Sequence, residues 1–163
     1  MAKHLLLLTV AFGSMALAPA AAPKPDDQIL PLSIQLQLKG QASLAAGNFS
    51  AADDALETAL AVDPRNRAAF VDLARVATRQ KLFGKAIRFT GKALALEPDD
   101  RDALAVQGAA MVEAGASARA QQNLTRLQAI CAKGGCPQAA ELGAAIARGP
   151  TPVAKPVVAA KKN

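Results

Sequence analysis

The chain has 163 residues, 52% hydrophobic and 20% charged, with a formal net charge of +6. That length suits one compact domain with tails rather than a string of domains. Its apolar residues are mostly Ala and Leu, and its only aromatics are five Phe, so β-rich cores are disfavoured and an all-α fold is expected.

The first segment reads as an export signal. Lys3 and His4 make a short positive start, Leu5 to Leu17 is uncharged and apolar, and Ala18-Pro-Ala20 is an A-x-A cleavage site, with Ala20-Ala-Ala22 a second option. The rival reading is an uncleaved anchor, since the uncharged run to Pro23 nearly reaches the ~20 residues a span needs. Its Ala-rich second half, broken by Pro19 and Pro23, favours cleavage, and with it a periplasmic location. No Cys follows the run, which disfavours a lipid-anchored lipoprotein. Cleavage after Ala20 removes Lys3, taking the charge from +6 to +5, and removes His4, the single histidine. The mature chain then lacks the commonest general base and metal ligand. Residues 21–31 read as an extended lead-in rich in Pro, Ala and charge, and Gln28 or Leu32 opens the first helix.

From there the sequence repeats. ALAVDP at 59–64 returns as ALALEP at 93–98, 34 residues later. The same offset joins Ala52, Ala86 and Ala120; Leu56, Thr90 and Leu124; and Val62, Leu96 and Ile130. It also joins small Gly40, Ala74 and Gly108, and large Leu36, Phe70 and Leu104. Small residues let two helices approach and large ones fill the space beside them. Turns fall between these runs. Gly47 supplies a C-cap and Ser50 an N-cap for the next helix. Pro64 and Pro98 end their units, and Asn66 and Asp100 cap the next helices.

A period of 34 in helix–turn–helix units, with an Ala in the second helix and a unit-final Pro, resembles the tetratricopeptide repeat. The likeness covers units 33–66, 67–100 and 101–132. It implies a right-handed α-solenoid of about three helix hairpins, each burying its apolar face on its neighbours. Some positions depart from the family pattern. Lys39 and Gln107 stand where an aliphatic is usual, and Ser43, Ala77 and Met111 where an aromatic is. Ala132 replaces the unit-final proline.

Solenoids need a terminal cap. Residues 137–148 supply a capping helix opened by Pro137, with Ala140, Leu142, Ala144, Ala145 and Ile146 as its apolar stripe. The domain thus spans 32–148. Cys131 and Cys136 flank Ala-Lys-Gly-Gly. In an exported chain they read as a disulfide tying one helix end to the next helix start, worth about 2 kcal/mol on the loop-entropy model; two free buried thiols are the alternative. Residues 149–163, with three prolines and a Lys-Lys pair, read as a disordered tail.

Nothing in the sequence points to an enzyme, a metal or another cofactor. A mature chain without histidine cannot build a Ser-His-Asp or Cys-His set, and no phosphate loop or dinucleotide fingerprint occurs. The pairs Asp26-Asp27, Asp53-Asp54 and Asp99-Asp100 have structural explanations in the lead-in, a helix first turn and a helix cap. The remaining signal is basic. Arg75, Arg79, Lys81, Lys85, Arg88 and Lys92 follow Asp72 with no acid before Glu97. By resemblance, Val71, Arg75, Thr78 and Arg79 floor a concave groove. Gln37, Gln41 and Leu44 flank them on one side, and Ala105, Ala109, Val112 and Glu113 on the other. Such a groove suits an as yet unidentified protein or peptide segment, and Arg can grip a carboxylate there. Lys85, Arg88 and Lys92 read as a solvated convex face. The expected function is therefore a non-catalytic scaffold or adaptor of the bacterial envelope. The alternative is an envelope-surface binder holding anionic lipid or cell-wall polymer through its basic residues and Lys-rich tail. Nucleic acid is not expected, because no aromatic stacking platform accompanies the charge.

Overall fold

The computed structural model describes residues 28–132 and 134–152. The expected export signal, most of the lead-in with Asp26 and Asp27, and the tail beyond Pro152 lie outside them. The described residues form seven α-helices and no strand: α1 (Pro31–Ala45), α2 (Phe49–Val62), α3 (Arg67–Arg79), α4 (Phe83–Leu96), α5 (Arg101–Glu113), α6 (Ser117–Ile130) and α7 (Pro137–Arg148). They pair as α1–α2, α3–α4 and α5–α6 hairpins, and each hairpin packs on the next. α7 lies on α5 and α6 as α3 lies on α1 and α2, so the cap takes the place of a next unit's first helix.

Turn chemistry explains where the helices begin. Asn66 accepts from the Ala69 amide at 3.0 Å, and Asp100 accepts from the Ala103 amide, each satisfying a first-turn N–H that has no helical partner. In the first hairpin the cap is Asn48, which accepts from Ala51 N at 3.2 Å, not Ser50. Gly47, at φ 76°, lets the chain turn early enough for α2 to start at Phe49. Asp53-Asp54 therefore fall beyond the first turn, away from the helix dipole's positive end, and Asp53 faces Lys85 of α4 at 3.4 Å.

The seam inside the first hairpin depends on a missing side chain. A Cβ on Gly40 would stand 2.5 Å from Leu56 Cγ, and Leu56 is fully buried with Ala52, Ala59, Leu73 and Val76. Gly108 plays the same part further on, where a Cβ would meet Leu142 of α7 at 2.6 Å. The apolar stripe of α7 is Ala139, Leu142 and Ile146, packed on Leu104, Leu124 and Leu127. Ala140 and Ala144 are exposed, contrary to the expected stripe, because only the 139–142–146 spacing stays on one helix face.

Polar staples join successive units at equivalent positions. Ser33 donates to Ala59 O at 2.8 Å and accepts from Asn66 Nδ2 at 2.9 Å. One period later Arg67 pairs with Asp100. In units one and two, the first turn of the first helix thus holds the cap residue of the following unit. Asp63, in the α2–α3 turn, accepts from Leu30 N at 3.1 Å and from Arg65 N and Nε at 3.0 Å, anchoring the start of α1. Cys131 ends α6 and Cys136 precedes α7, in disulfide geometry with Cα atoms 5.7 Å apart.

Candidate functional site

The first helices of the units, α1, α3 and α5, line a common face. Between them lies a recess of about 280 Å³ walled by Leu44, Arg75, Thr78, Arg79, Val106 and Ala109. Its lining is mostly apolar. The sequence expectation named Leu44, Arg75, Thr78, Arg79 and Ala109 for this face, and the structure brings all five together. Val106 was not expected. It sits one period after Asp72, so recognising Asp72 as a wall residue of unit two would have pointed to it.

Four expected groove residues serve the packing instead. Val112 is 1% exposed, buried with Met111 and Ala120, because its helical position turns it toward α6 rather than the groove. Val71 is 2% exposed and packs on Ala93 and Ala103, touching only the floor of a small polar recess beside Asp72. Gln37, itself buried, spends its amide on Asp72 at 3.0 Å. Ala105 lies largely buried between α5 and α7.

Asp72 centres a polar line that crosses the first helices. It accepts from Gln37 Nε2, from Gln41 Nε2 at 2.8 Å, and from Arg75 Nη1 at 2.7 Å. Arg75 also approaches Asp102 of α5 at 3.8 Å, and Asp102 accepts from Gln138 of α7 at 2.9 Å. The stretch that is free of acids in sequence is therefore not free of them in space. Arg75 is committed to a carboxylate and orders the wall rather than offering an open charge. Lys85 is likewise held by Asp53 and stacks over Phe89, and Lys92 lies over Phe70. Arg79 differs. It is exposed, its guanidinium stands 5.9 Å from the Phe49 ring, and among the described residues it has no carboxylate partner.

Glu113 is also in use. Gly149, at φ 71°, ends α7, and the chain then turns back to α5. Thr151 donates its amide to Glu113 Oε2 and its hydroxyl to Oε1, both at 2.9 Å. Thr151 and Pro152 then line a second recess of about 270 Å³ with Thr78, Arg79, Lys81, Phe83 and Glu113. The two recesses share Thr78 and Arg79. Thr151 and Pro152, within the expected tail, thus lie against the solenoid.

The Asp63 carboxyl is strongly perturbed. The Arg65 hydrogen bonds, led by its side chain and helped by backbone donors from Arg65 and Leu30, lower its pKa from 3.8 to about 2. It lies at the α2–α3 turn and does structural work. Asp99 pairs with Arg126 at 2.8 Å and Asp100 caps α5, so neither is organised as an acid–base pair. Among the described residues no His, Cys, Asp and Glu cluster could hold a metal ion, and no helix is long and apolar enough to cross a membrane.

Residues 43–110 match the family model described as "Tetratricopeptide repeat". Among curated proteins none matches the chain. Similar solved structures include the first TPR of Spaghetti (RPAP3) bound to HSP90 peptide SRMEEVD, at 21% identity over 72% of this chain and 94% of that one, with TM-score 0.66. The first TPR domain of human RPAP3 gives 21% identity over the same shares with TM-score 0.64. The Sgt2 TPR domain from Aspergillus fumigatus gives 22% identity over 85% and 96%, with TM-score 0.66. At these identities the likeness is one of fold.

Proposed function

We propose that this chain, an α-solenoid whose residues 43–110 match the tetratricopeptide repeat, is a non-catalytic adaptor that holds a segment of a protein partner in its concave groove. The match to the repeat over residues 43–110 supports this reading, as does one similar structure that carries a bound peptide. The observation that carries the reading is the recess among Leu44, Val106 and Ala109, apolar in its walls and bordered by Arg79, which has no carboxylate partner among the described residues. Such a site suits an extended or helical segment that buries small aliphatic side chains and presents one acidic group to Arg79. The sequence start adds an exported setting, with the mature chain acting in a bacterial envelope.

A pull-down from envelope extract with residues 21–163 tests this, beside Ala109→Arg and Arg79→Glu, washed at low and high salt. Arg75 is left alone, since a carboxylate there would face Asp72 and disturb the wall. A partner kept at high salt by the native chain and lost by Ala109→Arg supports the groove. Retention by both variants removes the groove from the reading. Loss of all capture at high salt replaces it with a surface contact of anionic lipid or cell-wall polymer, which screening weakens.

A further inference from the structure

We infer that the groove has an internal occupant, the chain's own segment 153–163, which competes with the partner. This rests on the proposed partner-binding role of the groove. The chain does not leave α7 into open solvent. It doubles back at Gly149 and is pinned by two hydrogen bonds from Thr151 to both oxygens of Glu113. Pro152 then lies in the recess that shares Thr78 and Arg79 with the groove. Pro152 thus stands beside two of the residues that wall the groove.

Beyond Pro152 the sequence runs VAKPVVAAKKN. Eleven residues extend by roughly 36 Å at about 3.3 Å each, ample to cross a recess that begins at the rim. Val153, Val157 and Val158 are of a size that the Leu44–Val106–Ala109 walls accommodate, and Pro156 lacks an N–H that burial would leave unsatisfied. The segment carries Lys155, Lys161 and Lys162 and no acid. Carboxylates are offered on the α5–α7 side, where Asp102 is half exposed and Glu141 lines the adjoining recess. Arg79 and Arg148 oppose these lysines, so aliphatic burial is the larger attraction and the contact is one a better ligand displaces. Tethering supplies it at an effective concentration in the millimolar range.

The test uses the synthetic peptide of residues 153–163 and two proteins, the chain from residue 21 to 163 and the same chain ending at Pro152. Amide resonances of Thr78, Arg79, Val106 and Ala109 are followed by NMR. The shorter chain is expected to shift at these positions as peptide is added. The full chain should already resemble the saturated state and need at least about 10-fold more peptide to respond, since its groove is filled at high effective concentration. Val157→Ser with Val158→Ser in the full chain, which removes the aliphatic burial and adds no charge for Arg79 to grip, should return its spectrum to that of the shorter one. Identical groove resonances in the two proteins, or peptide shifts confined to 149–152, overturn the inference. So does a dependence of the full-chain spectrum on protein concentration, which assigns the contact to a second copy. Failure here is distinct from failure of the groove itself, because partner capture by the chain ending at Pro152 reads the groove without the segment.

Discussion

At the scale of single residues, Gly40 and Gly91 make opposite predictions from the same chemistry. Gly40 faces Leu56, which is wholly buried and cannot swing aside. Gly40→Ala should therefore cost about 1–3 kcal/mol by overpacking. Gly91 lies inside α4 with nothing within 4 Å of an added Cβ, so Gly91→Ala should gain roughly 0.5–1 kcal/mol from helix propensity. Chemical denaturation of both variants beside the parent checks the pair, and equal signs would contradict the packing described. Asp63 gives a pH prediction. Its folded pKa, about 2, lies below its ordinary 3.8. The folded chain thus binds that proton less readily than the unfolded one, and the carboxylate's stabilisation is present above about pH 4 and lost as pH falls toward 2. Melting curves across that window should show the stability advantage of the parent over Asp63→Asn shrinking with acid. Small residues at a 34-residue offset made Gly40 legible in the sequence alone. The Asp63 contacts were not, since its partners Leu30 and Arg65 follow no period and only folding brings Leu30 near.

At the scale of elements, the helix starts and the polar line across the first helices carry the testable content. Asn48→Ala should cost about 1 kcal/mol while Ser50→Ala costs little, a contrast that thermal unfolding resolves. Both residue types cap helices, so the sequence alone could not rank them. The repeat gives no help, because the equivalent positions hold Leu82 and Ala116, which make no side-chain cap. Asp72 is 1% exposed and accepts three side-chain hydrogen bonds from two helices. Removing it strands buried donors, and Asp72→Ala should cost about 1–3 kcal/mol. Arg75→Ala should cost about 1 kcal/mol or less, since its side chain is 40% exposed and water replaces it. A double-mutant cycle between Gln41 and Asp72 reports whether the line couples α1 to α3. The hairpins themselves were plain from the period. The fate of Arg75 was not, because its two carboxylates lie on its own helix one turn back and on α5, and sequence order shows a run without acids beyond Asp72.

At the scale of the whole molecule, the two ends of the solenoid are finished differently. α7 closes one end, held by the Cys131–Cys136 bridge and by Leu142 seated on Gly108. The other end presents α1 with Leu30, Leu32, Ile34 and Leu38 about half exposed. Contacts in such an array run only between neighbours. Reduction, or Cys131→Ser with Cys136→Ser, should therefore speed hydrogen exchange in α7 and the facing turns of α5 and leave α1 and α2 unchanged, with a loss of about 2 kcal/mol. Uniform loss of protection would mean the units are not energetically separate. The return of the chain from Gly149 to Glu113 bears on how the protein is handled at the bench. An affinity tag, a fluorophore or a bead joined directly to Pro152 would start beside Thr78 and Arg79. If the groove takes the partner as proposed, a bait immobilised there presents its linker beside the prey's site, whereas coupling ahead of Gln28 avoids that junction.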